Sequence, residues 1–284
     1  MAYKNILVYV DGDDGCVARL NLACQISNQF DAKLTGMHVV PQGVYTPYSA
    51  LEFPLEVYKD MQDQEDKLLK KMAGLFNDAV NKNKVKNHAW RFPKSSRHSV
   101  QDIFIRHANY QGLIIISQEM HMANNADSFS ASDIIMGVGC PAIVTPNGLK
   151  MNDALPFDRV TVAWNGSRES ARALHDARPI LQKASDVQIL MANLSDEKIT
   201  HDDISHEDEM QNYLKSHNID ASIHHVYERK SRSITDLIFN AINDNKSDLL
   251  VMGGYGHSRL AEMLFKGVTY QILQTTPVPV FISH

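Results

Sequence analysis

The feature that most constrains the fold of this chain is a pattern that occurs twice, once in each half. Tyr3–Asp13 (YKNILVYVDGD) resembles Phe157–Ser167 (FDRVTVAWNGS), since each has a polar start, an apolar segment and an Asp-Gly or Asn-Gly turn. A helical pattern and a second short apolar segment follow in both halves. The repeat predicts two domains of the same fold.

The later parts of the two halves also correspond. Ser99–Ser117 and Ser233–Gly254 each begin with a Ser that has an Asp three residues on, which is typical of a capped helix start. A continuous apolar strand follows each helix, and Cys140–Pro146 resembles Thr276–His284. Each half therefore alternates strands with helices.

This alternation predicts the α/β class. Strands made almost continuously of Ile, Leu and Val are buried on both faces, which is typical of parallel sheets with helices on either side. We expect two doubly wound domains, each a five-stranded parallel sheet, at 1–147 and 155–284, with Pro146–Asp158 as the linker.

Composition narrows the function classes. The formal net charge of −5 gives no general attraction to nucleic acid or to an acidic membrane, so neither is an expected partner. No window has the roughly 20 apolar residues that span a bilayer. The N-terminus is interpreted as a core strand, and the three cysteines lack metal-ligand spacing. We expect a soluble cytoplasmic protein.

A glycine turn in the second half is the main candidate site. Gly253, Gly254 and Gly256 follow an apolar strand and precede a helical pattern. Ligands of doubly wound sheets bind at strand ends, where a helix N-terminus offers free N–H groups to phosphate. The segment is not a Walker A loop, and Arg259 stands where a GxGxxG fingerprint needs glycine. Two interpretations stay open, a phosphate cradle and a simple strand-to-helix turn.

On these residues the chain resembles a tandem universal stress protein, which is two such domains in one chain. Nucleotide-binding members of that family carry Gly-x2-Gly-x9-Gly-Ser/Thr after the fourth strand. Gly253 and Gly256 fit the first part of the motif, whereas Lys266 stands at the next glycine position and Gly267 follows it. The resemblance implies a fold with adenine nucleotide alpha hydrolase-like and flavodoxin-like layering. It also implies that the last strands of the two domains, Ala142–Thr145 and Val278–Ile282, pair antiparallel within the chain as a pseudo-dimer, and homodimers of whole chains are compatible with this.

The resemblance also implies a ligand and its site. ATP or a related nucleotide, with Mg²⁺ allowed, would bind in the second half only. Asn165 replaces the aspartate that often ends the family's first strand, so carboxylate contacts to metal or ribose are in doubt, and Lys266 would either block phosphate or attract it. The implied nucleotide-binding residues are Asn165, Gly166, Ser167, Ala192, Gly253, Gly254, Gly256, His257, Arg259, Gly267, Val268 and Thr269.

The first half lacks the corresponding glycines. Gln118 and Glu119 stand in their place, and Asp11, Asp13 and Asp14 add carboxylates at the same predicted edge, so this half should not bind ATP. An acidic rim of this kind fits either a divalent cation or an ordinary turn, and we assign no metal site.

Two further segments carry alternatives. Gln42–Tyr58 is an aromatic insertion that covers the sheet, docks the other domain or forms a lid, and Lys59–Lys82 is predicted to be one long helix. The acidic stretch with His201 and His206 is interpreted as a solvated helix rather than a zinc site, because two histidines five apart do not share a helix face.

No nucleophile with a paired base is evident, so no catalytic residue is assigned and ATP hydrolysis would at most be slow. The first functional hypothesis is a cytoplasmic stress-response regulatory protein whose C-terminal domain binds ATP or a related nucleotide. The second is a nucleotide-free stress adaptor that acts through regulatory protein partners. The third is a protein that binds another small ligand.

Overall fold

The computed structural model describes residues 3–41, 55–95, 98–120, 129–149, 157–193, 201–227, 233–256 and 267–284. The chain divides into two compact units, here called the N-terminal unit (Tyr3–Cys140) and the C-terminal unit (Pro141–His284). The boundaries predicted from the sequence, 1–147 and 155–284, stay a prediction. The division falls earlier in the chain because the strand at Ala142–Thr145 is counted with the C-terminal unit.

The N-terminal unit contains four helices and eight short or medium strands among its described residues. The helices are α1 (Cys16–Phe30), α2 (Leu55–Lys82), α3 (Val100–Ala108) and α4 (Ala131–Gly137). The strands are β1 (Asn5–Tyr9), β2 (Lys33–Met37), β3 (Val40–Pro41), β4 (His88–Arg91), β5 (Lys94–Ser95), β6 (Leu113–Ser117), β7 (Glu119–Met120) and β8 (Phe129–Ser130).

Its main sheet has the order β4-β2-β1-β6. All three neighbouring pairs are parallel, with Ile6 of β1 opposite both Leu34 of β2 and Leu113 of β6. Every residue of β6 is buried, as the continuous apolar sequence predicted. The helix predicted at Lys59–Lys82 begins earlier, at Leu55, so the insertion Gln42–Tyr58 ends in helix and its part at 42–54 lies outside the described residues.

The C-terminal unit repeats this plan. Its described helices are α5 (Arg168–Leu181), α6 (His201–Ser216), α7 (Ile234–Asn245) and α8 (Val268–Thr275). Its strands are β9 (Ala142–Thr145), β10 (Arg159–Trp164), β11 (Asp186–Asn193), β12 (Ala221–Tyr227), β13 (Leu249–Gly253) and β14 (Val280–Ser283).

The strand order of this unit is β12-β11-β10-β13-β14-β9. The first five strands run parallel to their neighbours. Antiparallel pairing joins β14 to β9, with Val280 opposite Val144, which confirms the pairing expected from the sequence. Both units therefore have the predicted α/β architecture with a mostly parallel sheet.

Local sequence explains where the helices begin and end. Ser99 and Ser233 cap α3 and α7, and Asp102 and Asp236 complete the two predicted capping boxes. Pro179 lies near the end of α5 and cannot donate a backbone hydrogen bond to the His175 carbonyl. The Arg178 side chain donates to that carbonyl instead, at 3.0 Å, so the last turn remains helical.

Candidate functional site

In the C-terminal unit the order in which strands are added to the sheet reverses between β10 and β13, which are parallel to each other. The chain proceeds outward from β10 through β11 to β12 and then returns to the other side of β10 at β13. Crevices outside the carboxyl ends of strands at such a switch point are where doubly wound sheets bind ligands. Asn165–Ser167 follow β10, and Gly254–Gly256 follow Gly253 at the end of β13, so the two predicted turns meet at this point, here called the C-terminal edge.

The turn after β10 is held by its own side chains. The Asn165 Oδ1 accepts a hydrogen bond from the Ser167 N–H at 3.1 Å, and Gly166 has a φ of 73° that suits glycine. The Ser167 hydroxyl caps α5 by accepting from the Ser170 N–H at 3.1 Å. These groups thus fix the start of α5 at the edge.

Gly253 is required by packing. A Cβ at this position would lie 2.5 Å from the carbonyl carbon of Glu169 and from the Ser170 nitrogen, so the first turn of α5 lies directly on the end of β13. This close approach is independent of any ligand. The simple-turn interpretation therefore accounts for Gly253.

Gly254 and Tyr255 also make contacts within the unit. The Gly254 N–H donates to the Ser283 carbonyl at 2.9 Å, and the Gly254 carbonyl accepts from His284 Nδ1 at 3.0 Å. Tyr255 has a left-handed backbone with a φ of 57°. The Tyr255 N–H donates to the Thr269 hydroxyl at 3.4 Å.

The hydrogen bond between Tyr255 and Thr269 places the segment that begins at Gly267 next to the glycine turn. Gly267 is the N-cap of α8 and has no side chain to satisfy the free N–H groups of the first turn, where Val268 and Thr269 lie. Thr269 is buried beside the glycine turn. The N-terminus of α8 therefore lies next to Tyr255 at the C-terminal edge, where its partial positive charge favours an anion.

The remaining predicted residues divide into two groups. Ala192 lies on β11 one residue beyond Met191, which is opposite Trp164, so its backbone is at the same edge of the sheet as Asn165. His257 and Arg259, together with Lys266, lie outside the described residues. All the predicted site residues that lie within the described part of the chain are therefore at the C-terminal edge.

Glu169 is a residue of this edge that the sequence reasoning missed. It lies in the first turn of α5 and only 6% of it is exposed. A Cβ placed on Gly256 would be 2.8 Å from its Oε2 and 3.8 Å from the Ser167 hydroxyl. A carboxylate therefore faces the glycine turn at the position where the resemblance implied phosphate.

Hydrogen bonds keep this carboxylate ionised. Burial raises the pKa of Glu169, but its own backbone N–H, Arg168 and the Ser167 hydroxyl outweigh that effect, so the pKa is lowered. Arg168 contacts only the Oε1 atom, with its Nε at 3.0 Å and its Nη2 at 2.9 Å. The negative charge on the side of Gly256 is therefore present at neutral pH.

The equivalent edge of the N-terminal unit contains an arginine. Arg19 of α1 is completely buried, and its Nη2 forms ion pairs with Asp11 and, at 3.3 Å, with Asp13. Its Nε donates to the Tyr9 carbonyl at 3.1 Å, and the Ser117 hydroxyl donates to Asp11 at 3.3 Å. Asp11 and Asp13 of the acidic rim expected from the sequence thus belong to an internal ion-pair network, whereas Asp14 is exposed.

This network has the ligand atoms of a metal site but also its own cation. Asp11, Asp13 and Cys16 place ligand atoms within 4.8 Å of one another. Burial lowers the pKa of Arg19, but the neighbouring carboxylates raise it more, so the guanidinium stays charged. Burial raises the pKa of the Cys16 thiol, which disfavours the thiolate that a metal needs. Gln118, at the position of Gly254, is itself buried.

A helix pattern could have revealed both missed residues. The buried face of α1 includes Cys16, Arg19, Leu20 and Ala23, and Arg19 falls on this apolar stripe. Glu169 falls on the matching stripe of α5. A charged residue on a buried helix face near a strand end indicates an internal partner.

In the part of the chain that the structure describes, no helix is long and apolar enough to cross a membrane.

Comparisons with known proteins find a family match in the second half of the chain and a similar fold over the whole chain. Residues 156–284 match the family model described as the universal stress protein family. The fold is similar to the crystal structure of a universal stress protein from Archaeoglobus fulgidus, with a TM-score of 0.71 and 14% sequence identity. The match covers 100% of this chain and 96% of that chain. A functionally unknown protein from Pseudomonas aeruginosa has a TM-score of 0.57 at 15% identity, covering 99% of this chain and 92% of that one. No curated protein sequence matches the chain.

Proposed function

We propose, on the match of residues 156–284 to the universal stress protein family model, that this protein is a cytoplasmic stress-response regulator whose C-terminal unit binds ATP or a related nucleotide. The proposal gives no catalytic role to any described residue. A second universal stress protein domain in the N-terminal half is part of the proposal. It is supported by the shared strand order and by the parallel pairs at the start of each half.

The observation that carries the proposal is the meeting of two ligand-binding features at one edge. The switch point between β10 and β13 is where doubly wound sheets bind ligands, and the N-terminus of α8 supplies N–H groups without a side-chain cap. The hydrogen bond from Tyr255 to Thr269 joins the two features. Adenine would lie beside the end of β11, near the backbone of Ala192, with phosphates toward the glycine turn.

One observation favours the second candidate function, a nucleotide-free adaptor. Glu169 is anionic and faces Gly256, and like charges in a partly buried site repel strongly. In the adaptor interpretation the glycine turn only allows α5 to pack on β13. Regulatory proteins would then be the partners.

The first experiment is to purify the protein without added nucleotide, denature it and identify released small molecules by mass spectrometry. ATP would then be titrated by calorimetry and by fluorescence of a Trp90→Phe variant. That variant leaves Trp164, the residue before Asn165 at the C-terminal edge, as the reporter. We expect copurified or titrated adenine nucleotide and a change in Trp164 emission.

A pair of matched variants locates the site. Gly256→Glu adds a second carboxylate beside Glu169 and should abolish ATP binding. Gly148→Glu adds the same charge at an exposed glycine with open space around it and should leave binding unchanged. Circular dichroism checks that both fold. The absence of released nucleotide and of heat at millimolar ATP would overturn the proposal and favour the adaptor.

A further inference from the structure

Glu169 places a fixed negative charge inside the C-terminal edge. Its Oε2 lies 2.8 Å from where a Cβ of Gly256 would be, and the residue is only 6% exposed. A group that contacts the backbone of Gly256 from this side would therefore lie within a few ångströms of the carboxylate.

The partner of Glu169 neutralises this charge incompletely. Arg168 binds the Oε1 atom, and 84% of its side chain is exposed to solvent. Ion pairs with such exposed partners are weakened by water and salt. The Oε2 atom that faces the glycine turn therefore keeps most of its effect on a bound ligand.

The N-terminal unit shows that the fold does not require an acid here. Alignment of the Asp11-Gly12 and Asn165-Gly166 turns places Gly15 opposite Glu169. Gly15 serves as the N-cap of α1 and the helix forms without a side-chain cap. The glutamate is therefore a feature of the C-terminal unit.

Resting on the proposed nucleotide site, we infer that Glu169 is its charge-selecting residue. Its carboxylate disfavours each unneutralised phosphate charge at the glycine turn. The site consequently selects adenine ligands with few phosphate charges, such as adenosine and AMP, over free ATP. A divalent cation on the phosphates offsets the repulsion, so ATP enters mainly as its magnesium complex.

The expected size of the effect follows from Coulomb's law. At an effective dielectric constant of about 20, two unit charges about 4 Å apart change an affinity by roughly a thousandfold, and two unit charges about 10 Å apart change it by roughly tenfold. Glu169→Gln keeps the size and hydrogen-bonding reach of the side chain and removes its charge. The variant should therefore bind magnesium-free ATP at least about tenfold more tightly than the wild type.

The test measures dissociation constants for adenosine, AMP, ATP with EDTA and ATP with Mg²⁺ in the full-length protein. Glu169→Gln should change adenosine binding less than about threefold and should reduce the advantage of Mg²⁺ for ATP. Glu169→Asp keeps the charge and should keep the wild-type preference for AMP over free ATP. Asp220→Asn, an exposed acid that precedes β12 at the opposite edge of the sheet, removes the same charge and should have no effect.

The outcomes separate this inference from the proposed function. If Glu169→Gln still binds adenosine and changes the dissociation constants of all four ligands by the same factor, the charge-selecting role is overturned while the nucleotide site stands. A preference of the wild type for free ATP over AMP would overturn it as well. If neither protein binds any of the four ligands, the proposed function fails and the inference fails with it.

Discussion

The two units place different chemistry at the same position of the same fold. In the N-terminal unit, Asp11 and Asp13 enclose the buried Arg19, so the edge beyond β1 is filled by the protein's own ion pairs. In the C-terminal unit the aligned positions carry Asn165, Ser167 and Ala173. Because the C-terminal unit has Ala173 at the position of Arg19, it lacks the internal cation of the N-terminal unit.

The last residue of the neighbouring strand also differs between the two units. Ser117 ends β6 and donates to Asp11, whereas Gly253 ends β13 and admits the first turn of α5. A doubly wound domain can thus use this edge for its own stability or leave it to a ligand. The two uses are selected by a few side chains, since the sheet and its order stay the same.

The largest expected effect comes from breaking the internal ion pair. Arg19→Met should leave Asp11 buried without its cation and destabilise the N-terminal unit by about 3–5 kcal/mol. Urea unfolding followed by Trp90 fluorescence in a Trp164→Phe background measures this unit separately. Trp90 lies on β4 and Trp164 on β10, so each unit contains one of the two tryptophans.

Two controls sharpen this prediction. Arg172→Met on α5 removes a half-exposed ion pair to Asp176 at 3.6 Å and should cost at most about 1 kcal/mol. The double variant Asp11→Asn/Arg19→Met imitates the uncharged pair of the C-terminal unit and should recover most of the lost stability. A double variant as unstable as Arg19→Met would show that packing of the long arginine side chain dominates.

The next largest effect tests the close packing at Gly253. Gly253→Ala must displace the backbone at Glu169 and Ser170, because its Cβ would lie 2.5 Å from both, and we expect a loss of about 1–3 kcal/mol in the C-terminal unit. Gly256→Ala is the matched control, since its Cβ meets the end of the Glu169 side chain and the Ser167 hydroxyl rather than backbone atoms. Unfolding followed by Trp164 fluorescence compares them, and equal losses would contradict the packing argument.

The smallest effect is a difference in pH dependence. His38 is buried, its Nδ1 donates to the Val10 carbonyl at 2.7 Å, and Met191 is its counterpart in the other unit. Burial lowers the pKa of His38, against the opposing effect of that hydrogen bond. As the pH falls below about 6.5, His38 is therefore protonated in the unfolded chain before it is protonated in the folded one. Proton binding then favours the unfolded chain, so the N-terminal unit loses stability.

His38→Gln, which keeps a donor for Val10, should reduce this acid sensitivity. The measurement is the urea midpoint of the Trp90 signal at pH 7.5 and at pH 5.5, compared between the variant and the wild type. His107 also has a lowered pKa, through burial and Arg91, so part of the sensitivity should remain. An unchanged difference between the two midpoints would assign the sensitivity to other groups.

Much of the fold could be predicted from the sequence because its determinants are local. Continuous apolar runs such as Leu113–Ser117 became fully buried strands, and the Ser-Asp pairs of α3 and α7 became capping boxes. The antiparallel pairing of β9 with β14 is not a local signal of this kind, and it was expected from the family resemblance. Periodicity and capping are read directly from neighbouring residues.

The chemistry of the edges could not be predicted as fully, because it depends on which side chain reaches across the fold. Arg19 lies eight residues from Asp11 and pairs with it only after α1 has packed on the sheet. Glu169 reaches Gly256 only because α5 approaches β13 closely at Gly253. Glycine spacing left both the phosphate cradle and the simple turn open, and it could not show that a carboxylate faces the turn.

The pairing of β9 with β14 has a consequence for synthesis of the chain. Val144 is opposite Val280, so the ribosome must make everything between them before the pair can form. At translation rates of about 5–20 residues per second, this interval lasts roughly 7–27 seconds. During that time the side of β9 that will receive β14 is an apolar strand edge without this partner, which is a template for wrong pairing. The lifetime of that exposed edge is therefore set by the speed of translation.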